Sequence, residues 1–176
     1  MEIVIINGSA GVGKDQFVKE VQSLIGEFRC YNYSTVDFVK FIAVCAGWGK
    51  DKTPKDRKFL SDLKQLLAEW NDIPFKKTIR EIEDCYRYAE NHKCVDESVM
   101  FIHCREPEEI ERFVNECGAR TLLVKRAAAD EIEQSNESDA NVDDYAYDVI
   151  VENDGTIEDL NDAARTYITE ILGLTI

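Results

Sequence analysis

Ile3-Val4-Ile5-Ile6-Asn7-Gly8-Ser9-Ala10-Gly11-Val12-Gly13-Lys14 is the stretch that decides the fold. Its first four residues are apolar and β-branched without alternation, as in a strand covered on both faces of a parallel sheet. From residue 15 to 28, Phe17, Val18, Val21 and Leu24-Ile25 recur at helical spacing. Between strand and helix lies a Gly-x-x-x-x-Gly-Lys loop. Its glycines let the backbone turn tightly, so that successive N–H groups converge on a polyphosphate. The helix start adds its positive dipole end, and Lys14 reaches toward the β- and γ-phosphates. Gly8, Ser9, Ala10, Gly11, Val12, Gly13 and Lys14 are therefore the expected phosphate cradle. A Gly-rich turn without a ligand is the alternative, and the strand–loop–helix order weighs against it.

The remaining composition narrows the setting. A chain of 176 residues is one domain, 1–176, with enough length for a core. A net charge of −14 argues against a nucleic-acid polymer, which needs a basic face, but not against a nucleotide. No apolar run reaches membrane-spanning length. Met1 leads straight into the first strand, which leaves no room for a signal peptide and gives a cytoplasmic reading. Cys30, Cys45, Cys85, Cys94, Cys104 and Cys117 form no CxxC pair, so free and mostly buried thiols are expected.

Further strands are expected at residues 29–34, 98–104, 121–125 and 148–152. Residues 37–46 read as a mostly buried helix through Phe38, Val39, Phe41, Ile42 and Val44. Thr53-Pro54 starts another, with Thr as N-cap and Pro in the first turn, and its apolar face is Phe59, Leu60, Leu63, Leu66, Leu67 and Trp70. Pro74 opens a helix carrying Phe75, Ile79, Ile82, Tyr86 and Ala89, and Pro107 one closed by Gly118. Thr156 and Asp159 have capping-box spacing before a last helix with Ile157, Leu160, Ala164, Tyr167, Ile168 and Ile171 inward. Strands and helices alternate, so the class is α/β: a five-stranded parallel sheet with helices on both faces. A helical insertion follows strand 2, near residues 37–92. A polar, acidic segment at 126–145 precedes strand 5 and reads either as disordered or as a mobile lid.

In place of the usual Ser or Thr, Asp15 follows Lys14. The Gly-Lys-Asp ending resembles phage deoxynucleoside monophosphate kinases and animal-type phosphomevalonate kinases. That resemblance implies Mg²⁺ coordination near Asp15, while the helix dipole also favours an acid there; the two readings are compatible. Ser34-Thr35-Val36-Asp37-Phe38-Val39-Lys40 resembles the Ser-Thr-Gly-Asp-x-x-Arg segment of adenylate kinases, with Val36 for Gly and Lys40 for Arg. It implies acceptor contacts from Ser34, Asp37 and Lys40; an N-capped helix start with an outward Lys is the alternative.

His103-Cys104-Arg105-Glu106-Pro107-Glu108-Glu109 resembles the Asp-x-Arg-x-x-x-Glu segment of phage-type monophosphate kinases. His103 stands where an acid organises Mg²⁺ in that family. Arg105 would meet transferring charge or clamp the acceptor phosphate, or else cap a helix paired with Glu109. Arg126 ends strand 4 where the family supplies an arginine to the phosphates. The lid beyond it carries no Lys or Arg at 127–144. Asn153-Asp154-Gly155-Thr156 resembles the turn beside the purine of ATP in monophosphate and dephospho-coenzyme-A kinases. Among Lys58, Arg80, Arg87 and Arg57, the last is the first choice for the acceptor, since its helix must pack back toward the cleft.

The resemblance as a whole is to the P-loop nucleoside monophosphate kinases. It implies ATP and Mg²⁺ as cofactors, with Lys14, Arg105 and Arg126 in catalysis. Small-molecule nucleotides are the implied partners, without nucleic-acid polymer or membrane. A kinase for a non-nucleotide acceptor and a nucleotide-binding regulatory module are the alternatives.

Overall fold

The computed structural model describes residues 1–51, 53–127 and 142–176. Five strands form the sheet: β1 (Glu2–Asn7), β2 (Cys30–Ser34), β3 (Val99–His103), β4 (Arg120–Lys125) and β5 (Val149–Glu152). All pairings are parallel, in the order β2-β3-β1-β4-β5. This is the expected fold class. The central strands are the apolar ones: Val4, Ile5 and Ile6 are fully buried, as are Val99, Phe101 and Ile102. The edge strands are more open. β2 buries only Cys30, and Ile150 of β5 is 53% exposed, because an edge strand has one neighbour fewer.

Helices α1 (Lys14–Ile25) and α6 (Ile157–Thr166) cover one face of the sheet. There Phe17 meets Phe101 and Tyr167 edge-on at 6.2 and 5.7 Å. α6 begins with the expected capping box, Thr156 and Asp159 each bonding the other's backbone N–H. It runs on into a π-helical turn at Tyr167–Ile171. Ile157 and Ile171, expected inward, are 67% and 40% exposed; they lie at the ends of the segment, beyond the sheet's cover. The other face carries α4 (Ile73–Asn91) and α5 (Pro107–Cys117), which meet where Phe75 packs on Phe113 at 4.8 Å.

The insertion comprises α2 (Asp37–Cys45), α3 (Pro54–Asn71) and α4. Thr53 caps α3 with a capping box to Asp56, and Pro54 occupies its first turn, as expected. Two expectations fail here. α2 is not mostly buried: only Val39 and Ala43 are, while Phe41 is 61% exposed. α3 buries no residue completely, and Phe59, Leu66 and Trp70 stand 40%, 62% and 74% exposed. Leu60, Leu63 and Leu67 are half-buried, so α3 turns only part of its apolar face inward. The thiols also differ from expectation: all six are free, but only Cys30 and Cys104 are buried and Cys45 is exposed. Most of the expected lid segment, residues 128–141, lies outside the described residues. Among the described residues, no helix is long and apolar enough to cross a membrane.

Candidate functional site

The strand order fixes where a ligand can enter. From β1 the chain crosses by α1 toward β2; from β3 it crosses by α5, on the opposite face, toward β4. Neighbouring strands whose connections leave in opposite directions open a crevice at their carboxyl ends. β1 and β3 are such neighbours, with Ile6 level with His103. The Gly8–Lys14 loop and the His103–Arg105 turn therefore face each other across that crevice.

The loop is constrained by backbone. Gly8 has φ 142° and Gly13 φ 104°, both in the region that favours glycine. A Cβ on Gly8 would overlap the Val124 carbonyl, and one on Gly13 would stand 2.5 Å from Asn153 Nδ2. Gly11, at φ 82°, has open space around it. Lys14 donates from Nζ to the carbonyls of Gly8 and Ser9, the latter at 2.7 Å, so its ammonium lies over the loop. Asn153 is buried at the end of β5 and donates to the Val12 carbonyl at 2.8 Å. The Asn-Asp-Gly turn thus abuts the loop. Asp154 accepts from the Ala127 amide at 2.7 Å, and Gly155 is exposed. Crowded glycines, a helix N-terminus and a lysine ammonium on the loop together suit a polyphosphate.

Asp15 is exposed on the first turn of α1. Its carboxylate is a hard oxygen donor of the kind Mg²⁺ takes, directly or through water. His103 is half-buried, with Nε2 2.9 Å from Asn32 Oδ1 on the neighbouring strand, as for an N–H donating to the amide oxygen. Burial pulls the His103 pKa below its ordinary value. Lys14 and Lys40 add to that, against the opposing pull of Asp15 and Asp37. These four charges and His103 therefore share one electrostatic neighbourhood at the crevice.

Ser34, Asp37 and Lys40 are brought together at the end of β2. Asp37 accepts from the Ser34 amide at 2.9 Å and from Lys40 Nζ at 3.0 Å. Arg105 is half-buried just beyond β3, and Arg126 is exposed just beyond β4. Arg57 is exposed on the first turn of α3, a helix that turns only part of its apolar face inward. Arg80 and Arg87 line a groove of about 620 Å³ between α4 and α5, with Arg112 3.4 Å above the Phe75 ring.

Two arrangements escape a reading of the sequence. Lys64 of α3 reaches Glu109 of α5 at 2.8 Å, and the same carboxylate oxygen accepts from Cys104 at 3.2 Å. Burial pushes the Cys104 thiol well up, Glu109 pushes it further, and Lys64 opposes. Asn7, fully buried at the end of β1, accepts the Gly8 amide at 2.7 Å and donates to Tyr147 Oη at 2.6 Å. Neither pair leaves a sequence signal, since partners 45 and 140 positions apart follow no local spacing.

Sheet order and loop together define a P-loop α/β protein. No family model matches the chain, and no curated protein matches it. Among solved structures, it is similar to the unliganded structure of a sugar kinase from Janibacter sp. HTCC2649. The two share 13% identity and a TM-score of 0.49, over 100% of this chain and 99% of that one.

Proposed function

We propose that the protein transfers the γ-phosphoryl group of ATP to a small phosphorylated acceptor, a (deoxy)nucleoside monophosphate. The observation that carries this reading is the loop Gly8–Lys14, crowded by the Val124 carbonyl at Gly8 and by the Asn153 side chain at Gly13, and set across the β1–β3 crevice from Arg105. The loop amides and Lys14 hold the β- and γ-phosphates. Arg105, with Arg126 beside β4, meets the charge that spreads over the transferring group. Ser34, Asp37 and Lys40 at the end of β2 face the acceptor side. Asp15 would hold Mg²⁺ through water, and the bound ion supplies charge neutralisation between the phosphates. A phosphate acceptor is already ionised at neutral pH, so no side chain has to act as a strong base. Catalysis is then positioning and electrostatics.

One observation favours a second reading. His103, where the resembling kinases carry an acid, faces Asn32 rather than offering a carboxylate to a metal. On that reading the protein binds nucleotide and regulates, without transfer. ADP release measured across nucleoside monophosphates, phosphorylated isoprenoid alcohols and sugars, beside direct ATP binding, separates the two. Release only with a monophosphate acceptor supports the kinase; tight binding with no release for any acceptor supports the second reading.

A further inference from the structure

The side chain of Asn7 joins three segments that meet beneath the crevice. Its Oδ1 accepts the Gly8 N–H at 2.7 Å; its Nδ2 donates to Tyr147 Oη at 2.6 Å and lies 3.4 Å from the Arg105 carbonyl. Tyr147 in turn donates from its hydroxyl to the Val142 carbonyl at 3.0 Å. The amide orientation is dictated by this set. A flipped Asn7 would point its NH₂ at the Gly8 N–H, donor against donor, and its oxygen at the Arg105 carbonyl. Protons therefore run one way, from Gly8 to Asn7, and from Asn7 through Tyr147 to Val142. Chains of this kind polarise one another, and a half-made one inside a protein is costly.

We propose that the buried Asn7 and the half-buried Tyr147 form a positioning pair that sets the Gly8–Lys14 loop against Arg105 across the β1–β3 crevice. The catalytic part of this inference rests on the proposed phosphoryl transfer; the pairing itself does not. Neither residue needs to touch the phosphates. Asn7 holds the first amide of the loop and lies beside the carbonyl of the arginine opposite. Tyr147 fixes the rotamer that lets one side chain do both. Aspartate could not serve at position 7, since it lacks the two donor hydrogens and would bury a negative charge beside the phosphates.

The test removes one oxygen atom. In Tyr147→Phe, the backbone amide signals of Gly8 and of Glu106, whose N–H belongs to the Arg105 peptide, should shift without any ligand. Turnover should fall about tenfold while KM for ATP stays within about twofold, because misplaced groups lose transition-state contacts before ground-state binding. Asn7→Ser should show a loss at least as large, and adding Tyr147→Phe to it should change turnover no further, as for residues acting in one network. A packing role alone would lower the melting temperature of Tyr147→Phe and leave turnover unchanged. Unmoved amides, unmoved turnover or additive losses would each overturn the pair. If the wild-type protein transfers to no acceptor, the functional reading falls, and the two amide signals alone decide the pairing.

Discussion

The two sides of the crevice are built by different means. On the loop side the space is filled: a Cβ on Gly8 would meet the Val124 carbonyl and one on Gly13 the Asn153 side chain, while Lys14, Asn7 and Asn153 are bonded into the loop. On the insertion side, α2 and α3 leave Phe41, Leu66 and Trp70 largely exposed. There an ion pair, Lys64 to Glu109, ties α3 to a helix of the sheet. A loop crowded at fixed positions tolerates little change at those positions and can be read from few residues. A site held by side chains can drift in sequence while its fold persists. The phosphate side is therefore the general part of this molecule, and the insertion is where its individuality lies.

The comparison breaks first at Lys14. Lys14→Ala should keep its melting temperature yet lose at least about a hundredfold in turnover, roughly 3 kcal/mol, as for removal of a preorganised charge donor. Wild-type turnover at normal ATP affinity would place the chemistry elsewhere.

Gly8→Ala and Gly11→Ala sharpen the contrast within the loop. Both put a side chain at positive φ, which costs about 1–3 kcal/mol. Only Gly8→Ala also drives a Cβ into a backbone carbonyl. Thermal unfolding should rank Gly8→Ala clearly below Gly11→Ala, and equal losses would mean that strain rather than crowding selects the glycines.

On the insertion side, Lys64→Met should cost about 2 kcal/mol by leaving the Glu109 carboxylate without its cation. Burial pulls the Lys64 pKa down, but Glu109, with Cys104 and Glu106 adding to it, more than compensates, so the folded value lies above the ordinary one. The sign follows: its stabilisation is complete below the unfolded lysine pKa and is lost as pH rises through the folded value. Denaturant unfolding of wild type should show that alkaline loss, and Lys64→Met should not.

The smallest effect belongs to His103. Its folded pKa is depressed, so its contribution is present above the unfolded value near 6.5 and is lost as pH falls through the folded one. His103→Asn should flatten part of the acid limb of a stability–pH curve. An unchanged limb would assign acid sensitivity to other groups.

The sheet and the glycine-rich turn between β1 and α1 are legible because their signals are local. β-branched runs, glycine positions and the Thr53-Pro54 and Thr156/Asp159 caps each span a few residues. The insertion's packing is not. Phe59, Leu66 and Trp70 have the spacing of a buried face, yet periodicity records which residues share a face and not whether another element covers it. Asn7 and Lys64 went unread because a hydrogen bond between distant positions leaves no pattern in one sequence.

The bare stripe on α3 also has an optical consequence. The chain holds two tryptophans, Trp48 and Trp70. Trp70 is 74% exposed, whereas Trp48 is half-buried with its Nε1 out of reach of solvent. Trp70 should emit at long wavelength and be readily quenched by acrylamide. Any event that covers α3 would shift that emission to the blue without a label, making the insertion's surroundings visible in a cuvette.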